Sequence, residues 1–140
     1  MDHVLVPVDD SELARSALDH AVEQYPEATI HLLHVVDLVD AGVGAPPGPD
    51  VVAYYEKWYD TAEERAVELF DELTSDLDRE VETAIEMGPP ARTIVNYADE
   101  AGIDLIVMGS HGRSGVSRVL LGSVAEAVVR RAGCPVLVVR

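Results

Sequence analysis

The sequence predicts an α/β, Rossmann-like fold: a single domain, residues 1–140, with an open five-stranded parallel sheet and helices on both faces. Five apolar runs typical of strands alternate with four helical patterns, and this alternation implies parallel β-α-β units. The first and fourth runs, HVLVPV and DLIVM, are almost continuously apolar, which is typical of central strands buried on both faces. The chain has the length of one ordinary domain and shows no internal repeat.

The first half of the chain begins with a strand at His3–Val8. The helix after it repeats its apolar residues on one face, and Asp10 or Ser11 can cap it, with Asp10 favoured. The second strand is Thr29–Val36. Residues 37–50, DLVDAGVGAPPGPD, are rich in glycine and proline and are therefore interpreted as a loop.

The second half continues the alternation with a long acidic helix over Val51–Asp76. Pro89 and Pro90 suit the start of the next helix, which ends at Gly102. The third strand alternates apolar and charged residues, so we expect it near an edge of the sheet. The third, fourth and fifth strands are predicted at Glu80–Ile85, Asp104–Met108 and Pro135–Val139.

The charge balance excludes several kinds of partner. Twenty-six acidic residues against ten basic ones give a formal net charge of −16, whereas nucleic acids and anionic membranes need a basic surface. Repulsion among so many like charges is largely screened in molar salt, where the Debye length is about 3 Å. We therefore hypothesise a cytoplasmic protein from an organism with a very salty interior. The acidic residues then need no catalytic explanation.

Two further features bear on location and redox chemistry. The N-terminus, MDHVLVPVDD, lacks a basic region and a cleavage site, so we do not expect a signal peptide, and no apolar run is long enough to span a membrane. The one cysteine, Cys134, precedes the apolar run PVLVV. We expect it to pack as a small residue with a raised thiol pKa rather than to act as a reactive thiol.

A glycine-rich segment follows the fourth strand. Ligands of open α/β sheets bind beyond the carboxyl ends of the strands, where the strand order reverses, and central first and fourth strands would place that point beside Gly109. A glycine there permits unusual backbone angles and close approach by a ligand. Gly112 completes a possible nest of backbone N–H groups for an anion, and Arg113 adds a positive charge.

The far end of the segment opens the last helix. Ser123 and Glu126 fit the capping box S-x-x-E, with Ser123 as the N-cap, and Gly133 ends the helix. A helix that starts after Gly122 directs its free N–H groups toward the same point, which favours phosphate. The segment is neither a Walker P-loop, because no lysine follows its last glycine, nor the dinucleotide motif G-x-G-x-x-G.

These residues resemble the universal stress protein family. The nucleotide-binding branch of that family carries G-x2-G-x9-G-[ST], and here Gly109 and Gly112 are followed after nine residues by Gly122 and Ser123. HVLVPVDDSE, LLHVVD and CPVLVVR are similar to the family's first, second and closing strands, so the resemblance covers the whole chain. It implies the strand order 3-2-1-4-5 and an ATP site.

The resemblance also implies individual roles. Asp9 would lie near the adenine and ribose, Val35 would contact the base, and the residues after Gly109 would surround the phosphates. Val8 stands where ATP-binding relatives often carry a small hydroxyl residue. The nucleotide-binding residues so implied, with His111 added as a loop residue that either contacts phosphate or faces solvent, are Pro7, Val8, Asp9, Val35, Met108, Gly109, His111, Gly112, Arg113, Gly122, Ser123 and Val124.

The implied ligand is ATP, or alternatively AMP, with Mg²⁺ held mainly by phosphate oxygens and water. No catalytic or metal-binding residue is predicted: His31 and His34, three apart on a strand, point to opposite faces and cannot chelate one ion together. The family pairs its last strand across a two-fold axis, which implies a homodimer through Pro135–Val139. The favoured function is a ligand-dependent stress-response regulator with an unknown protein partner. Slow ATP hydrolysis or autophosphorylation, and a nucleotide-free dimeric module, stay as alternatives.

Overall fold

The computed structural model describes residues 1–42, 44–111 and 121–140, and its sheet has the strand order β3-β2-β1-β4-β5. Every neighbouring pair of strands is parallel. The predicted α/β class and strand order are therefore confirmed. In chain order the elements are β1 His3–Pro7, α1 Glu12–Gln24, β2 Thr29–Val36, α2 Leu38–Gly42, α3 Val51–Thr74, β3 Glu82–Met87, α4 Pro90–Glu100, β4 Leu105–Gly109, α5 Ser123–Arg131 and β5 Val136–Val139.

The sheet separates two apolar cores, because alternate side chains of each strand point to opposite faces. Val4 and Val6 of β1 pack with α1 and α3, where Leu18 and Phe70 belong to the same cluster. Leu5 faces the other way, into a cluster with residues of α4 and α5. These β1 side chains are fully buried, which confirms that the strand is covered on both faces. β3 lies at an edge, as its charged pattern predicts.

Two local predictions are wrong. The cap of α1 is Ser11, whose hydroxyl accepts a hydrogen bond from the Ala14 N–H at 3.2 Å, and not the favoured Asp10. The interval 37–50 is not all loop, since it contains the short helix α2. Ala41 of α2 is fully buried, and its carbonyl accepts a hydrogen bond from the Tyr54 hydroxyl at 3.0 Å. Tertiary contacts of this kind stabilise a helix that glycine-rich composition disfavours.

Within the described ranges, no helix combines the length and apolar character needed to cross a bilayer. Cys134 packs against the α4 and α5 core and is partly buried. Burial raises the pKa of its thiol, and the nearby Asp99 carboxylate raises it further. This agrees with the expectation of a packed, unreactive cysteine.

Candidate functional site

A cleft of about 740 Å³ opens at the carboxyl ends of the strands, a volume in the range of small-molecule sites. Ten of the twelve residues predicted to bind nucleotide line it, and the other two, Gly112 and Arg113, lie outside the described residues. The cleft stands at the junction of β1 and β4, where the strand order reverses. The ten are Pro7, Val8, Asp9, Val35, Met108, Gly109, His111, Gly122, Ser123 and Val124.

Hydrogen bonds hold the end of β4 and the start of α5 together in the wall of this cleft. The Gly122 N–H donates to the Ser110 carbonyl at 2.6 Å, and the Ser110 N–H donates to the Val139 carbonyl at 2.7 Å. Ser110 itself is buried, 2 % exposed, and its hydroxyl lies 3.2 Å from Nδ1 of His111. Residues twelve apart in sequence are therefore fixed against one another at the edge of the cleft.

The start of α5 faces the cleft, but its cap differs from the prediction. Gly122 is the N-cap and Ser123 is the first helical residue, with no side-chain cap hydrogen bond. The predicted capping box is therefore wrong: the Glu126 carboxylate pairs instead with Arg130, at 2.9 Å. The first intrahelical bond runs from the Glu126 N–H to the Gly122 carbonyl, so the N–H groups of the first turn precede it. Such groups attract anions.

The two glycines are needed for space rather than for special backbone angles. Neither Gly109 nor Gly122 has a positive φ, so the unusual backbone angles that glycine permits are not used at either position. A Cβ on Gly109 would lie 2.7 Å from the Cβ of Leu13 in α1. A Cβ on Gly122 would lie 3.1 Å from the Cα of His111. Close backbone approach on both sides of the cleft explains why the positions hold glycine.

The end of β1 forms the opposite wall. The Val8 carbonyl accepts a hydrogen bond from Nδ1 of His34 at 2.9 Å, and the Val8 N–H donates to the Leu33 carbonyl at 2.8 Å. The side chain of Val8 is 6 % exposed, so it narrows this wall without closing it. The Asp9 carboxylate accepts a hydrogen bond from the Ser11 N–H at 2.9 Å, which positions it beside the cap of α1.

Sequence reasoning missed several residues of the cleft. Three polar ones follow or end β2, and the carboxyl-end rule, which was applied only to the first and fourth strands, would have found them if it had also been applied to the second. Among the described residues, no group of three His, Cys, Asp or Glu side chains could hold a metal ion. The missed lining residues are His34, Asp37 and Asp40, together with Ser11, Ala14, Leu33, Pro90, Ile94 and Ala125.

The two strand histidines contact different partners, and His31 belongs to a buried network away from the cleft. Its Nε2 lies 3.1 Å from Nδ1 of His3, and its Nδ1 lies 3.0 Å from the Tyr97 hydroxyl. Glu82 approaches it at 3.6 Å. Burial lowers the pKa of His31, the Glu82 carboxylate opposes that effect, and His3 adds to it.

The family is decided by comparison with known proteins. The model of the universal stress protein family matches residues 1–140, the whole chain. The chain belongs to the universal stress protein family. This universal stress protein is 35% identical over 139 residues to Universal stress protein MJ0531 of Methanocaldococcus jannaschii, covering 98% of this chain and 81% of that one.

Solved structures of the family agree with the fold. The structure of MJ0577, a universal stress protein of the same organism, has a TM-score of 0.86 at 31% identity, covering 99% of this chain and 94% of that chain. A universal stress protein crystallised in complex with cAMP has a TM-score of 0.63 at 26% identity, covering 99% of this chain and 96% of the other. Both likenesses extend over the full sheet and its helices.

Proposed function

We propose that this universal stress protein binds ATP, or alternatively AMP, in the cleft at the carboxyl ends of β1 and β4. The observation that carries the proposal is the meeting of Gly109, the Gly122–Ser110 hydrogen bond and the free N–H groups of α5 around one cleft. A helix start of this kind attracts phosphate. The apolar side chains of Val35 and Met108 in the same cleft suit the flat faces of a purine.

The relatives support an adenine nucleotide in general. A family member of similar fold is described in complex with cAMP, which contains the same base and ribose. The G-x2-G-x9-G-[ST] spacing from Gly109 to Ser123 is the family's nucleotide-binding motif. Mg²⁺, if bound, would be held by phosphate oxygens and water together with a carboxylate such as Asp9.

The protein would act in the cytoplasm as a ligand-dependent regulator of the stress response. A nucleotide in the cleft would contact the ends of β1 and β4 on one side and the start of α5 on the other. It would thereby fix these three elements relative to one another, and binding to the ordered form alone raises stability by mass action. The surface around the cleft would then differ between the free and the bound protein, and a protein partner could distinguish them.

Titration calorimetry with Mg-ATP in concentrated KCl tests the proposal. We expect saturable binding and a rise in melting temperature, since a ligand at a hundred times its Kd adds about 2.7 kcal/mol. Gly122→Val should abolish binding, because its side chain would enter the space of His111. Gly133→Val is the matched control, since a Cβ there would meet only the Asp99 carboxylate, at 3.4 Å. No heat and no thermal shift at millimolar Mg-ATP would contradict the proposal.

We also propose a homodimer through the C-terminal strand, Pro135–Val139. β5 ends the sheet, and each residue from Val136 to Val139 is partly exposed despite being apolar. An exposed apolar edge of this kind is normally covered by a partner. Light scattering in concentrated KCl should give twice the monomer mass, and a monomer at micromolar concentration would contradict this part of the proposal.

A further inference from the structure

A second cleft, of about 680 Å³, adjoins the first. It lies between the end of β2 and the side of α3, and Asp40 of α2 also lines it. The Tyr54 hydroxyl of α3 binds the Ala41 carbonyl of α2 nearby. The two clefts meet at a border whose residues line both of them. The shared residues are Asp9, His34, Val35, Asp37, Asp40 and Pro90.

On the wall that α3 contributes, the charged side chains are all basic. α3 carries seven acidic residues and two basic ones. Both basic residues, Lys57 and Arg65, line the cleft, and none of the acidic residues of α3 does. Neither side chain forms an ion pair or a side-chain hydrogen bond with the described residues. The strand side of the same cleft carries the carboxylates of Asp9, Asp10, Asp37 and Asp40. The cleft therefore suits a ligand with an anionic group on the α3 side, near Lys57 and Arg65, and hydrogen-bond donors on the strand side.

The same wall presents aromatic rings. Tyr54 and Trp58 line the cleft beside Lys57, and Ala62, Ala66 and Leu69 form its apolar floor. The positions 54, 57, 58, 61 and 65 lie on one face of α3, since they are spaced by three or four residues. Aromatic side chains beside a cation favour a planar ring that carries a negative charge nearby.

The border between the two clefts indicates from which end of a bound nucleotide a second planar, anionic group could extend into the second cleft. Asp9 and Val35 line both clefts, whereas Gly122, Ser123 and Val124 line only the first. In the proposed function the border is therefore the base and ribose end, and the phosphates lie at the far end. A group that enters the second cleft must leave from the ribose or the base, and not from the phosphate chain.

We propose that the two clefts together bind a dinucleotide whose second nucleotide is attached to the ribose of the first. The first base and ribose occupy the border, the second base stacks on Trp58, and the linking phosphate approaches Lys57 and Arg65. The carboxylates of Asp37 and Asp40 at the border accept hydrogen bonds from amino and hydroxyl groups. This inference rests on the proposed function of the first cleft and specifies its ligand class.

The test compares AMP with pApA, in which a 3′–5′ phosphodiester bond joins a second adenylate to AMP. Trp58 is the only tryptophan of the chain, so its fluorescence reports on the second cleft. We expect pApA to bind at least about tenfold more tightly than AMP, the gain of stacking one base, and to quench Trp58 where AMP does not. Trp58→Leu and Lys57→Ala should bring the ratio of the two affinities toward one.

Arg131→Ala removes one positive charge outside both clefts and should leave the ratio unchanged. An equal affinity for pApA and AMP overturns the inference, as does a gain that persists in Trp58→Leu and Lys57→Ala. An equal gain for two adenosines joined through their 5′ phosphates overturns it too, because that ligand extends from the wrong end. If ATP and AMP both fail to bind, the proposed function fails with it, whereas binding of AMP without a gain for pApA refutes this inference alone.

Discussion

The substitution Gly109→Ala tests how closely α1 packs against the end of β4. The added Cβ would lie 2.7 Å from the Cβ of Leu13, 3.3 Å from the His111 carbonyl oxygen and 3.4 Å from the Leu13 carbonyl carbon. The nearest of these atoms belong to backbone or to the stem of a helical side chain, so they cannot move alone. α1 must therefore shift away from the sheet for the methyl group to fit.

The size of the effect follows from the overlap. Non-bonded carbon atoms rest at about 3.5–4.0 Å, so α1 and β4 must separate by about 1 Å at this point. Overpacking of this degree costs about 1–3 kcal/mol. Replacing glycine by alanine also restricts the unfolded chain, which stabilises the protein by about 0.4–1 kcal/mol. At the middle of the two ranges, a cost of about 2 kcal/mol outweighs a gain of about 0.7 kcal/mol. The net loss is then about 1.3 kcal/mol, or a fall in Tm of about 4 °C for a domain of this size.

Gly133→Ala is the matched control for a thermal melt followed by circular dichroism. Gly133 also lacks a positive φ, and a Cβ there would be 3.4 Å from the Asp99 carboxylate, an ordinary contact. Only the effect on the unfolded chain remains, so its Tm should stay the same or rise. The Tm of Gly109→Ala should therefore fall below the wild-type value, while that of Gly133→Ala should not. A Gly109→Ala protein that melts at or above the wild-type temperature would refute the close packing of α1 on β4.

Four further measurements follow from the structure. Ser11→Ala should lower the free energy of unfolding by about 1 kcal/mol because it removes the cap of α1, whereas Ser123→Ala should be nearly neutral. Equal losses in the two variants would show that Ser123 caps α5 after all. Burial lowers the pKa of His31, so its stabilising contribution is present above pH 6.5 and is lost as the pH falls below that value. His31→Gln should therefore flatten the decline in Tm below pH 6.5, and parallel curves for the two proteins would contradict this. Hydrogen bonds from the backbone N–H groups of His3 and Asp2 lower the pKa of Asp104, so Asp104→Asn should lower the Tm at neutral pH. The difference in Tm between the two proteins should shrink as the pH falls below 3.8. A difference that stays constant would show that the ionised carboxylate does not stabilise the fold. Concentrated KCl should raise the wild-type Tm more than that of a near-neutral control protein, and an equal rise would count against adaptation to salt.

The topology was predictable because burial on both faces leaves a pattern in the sequence. The runs around Val4 and Leu105 hold apolar residues at nearly every position, and only central strands need that. Once these two strands are neighbours, the carboxyl-end rule places Gly109 and Asp9 in the cleft without further information. The ends of the elements shifted by one or two residues, as fraying and weak terminal hydrogen bonds cause.

Other features depend on contacts that the sequence does not encode locally. Ser123 fits the capping pattern, but the N-cap of α5 is Gly122, one residue earlier, and the Gly122 N–H is bound to the Ser110 carbonyl at the wall of the cleft. α2 forms because Ala41 is buried and its carbonyl meets Tyr54, a residue of the next helix. The second cleft likewise needs the packing angle of α3 beside β2, since the spacing of Lys57 and Arg65 alone is also typical of a solvated helix face.

The net charge of −16 and an anionic ligand are compatible because the two act over different distances. Repulsion from acids on remote helix faces is screened beyond about 8 Å at physiological ionic strength and beyond about 3 Å in molar salt. The N–H groups at the start of α5 act at hydrogen-bond distance, where intervening ions do not enter. In α3, both bases and none of the seven acids line the second cleft. The carboxylates that do line the clefts, among them Asp9, Asp37 and Asp40, lie at or after the ends of β1 and β2, away from the start of α5. The acidic surface therefore sets solubility and salt dependence, while a few local groups at the clefts determine which ligand is bound.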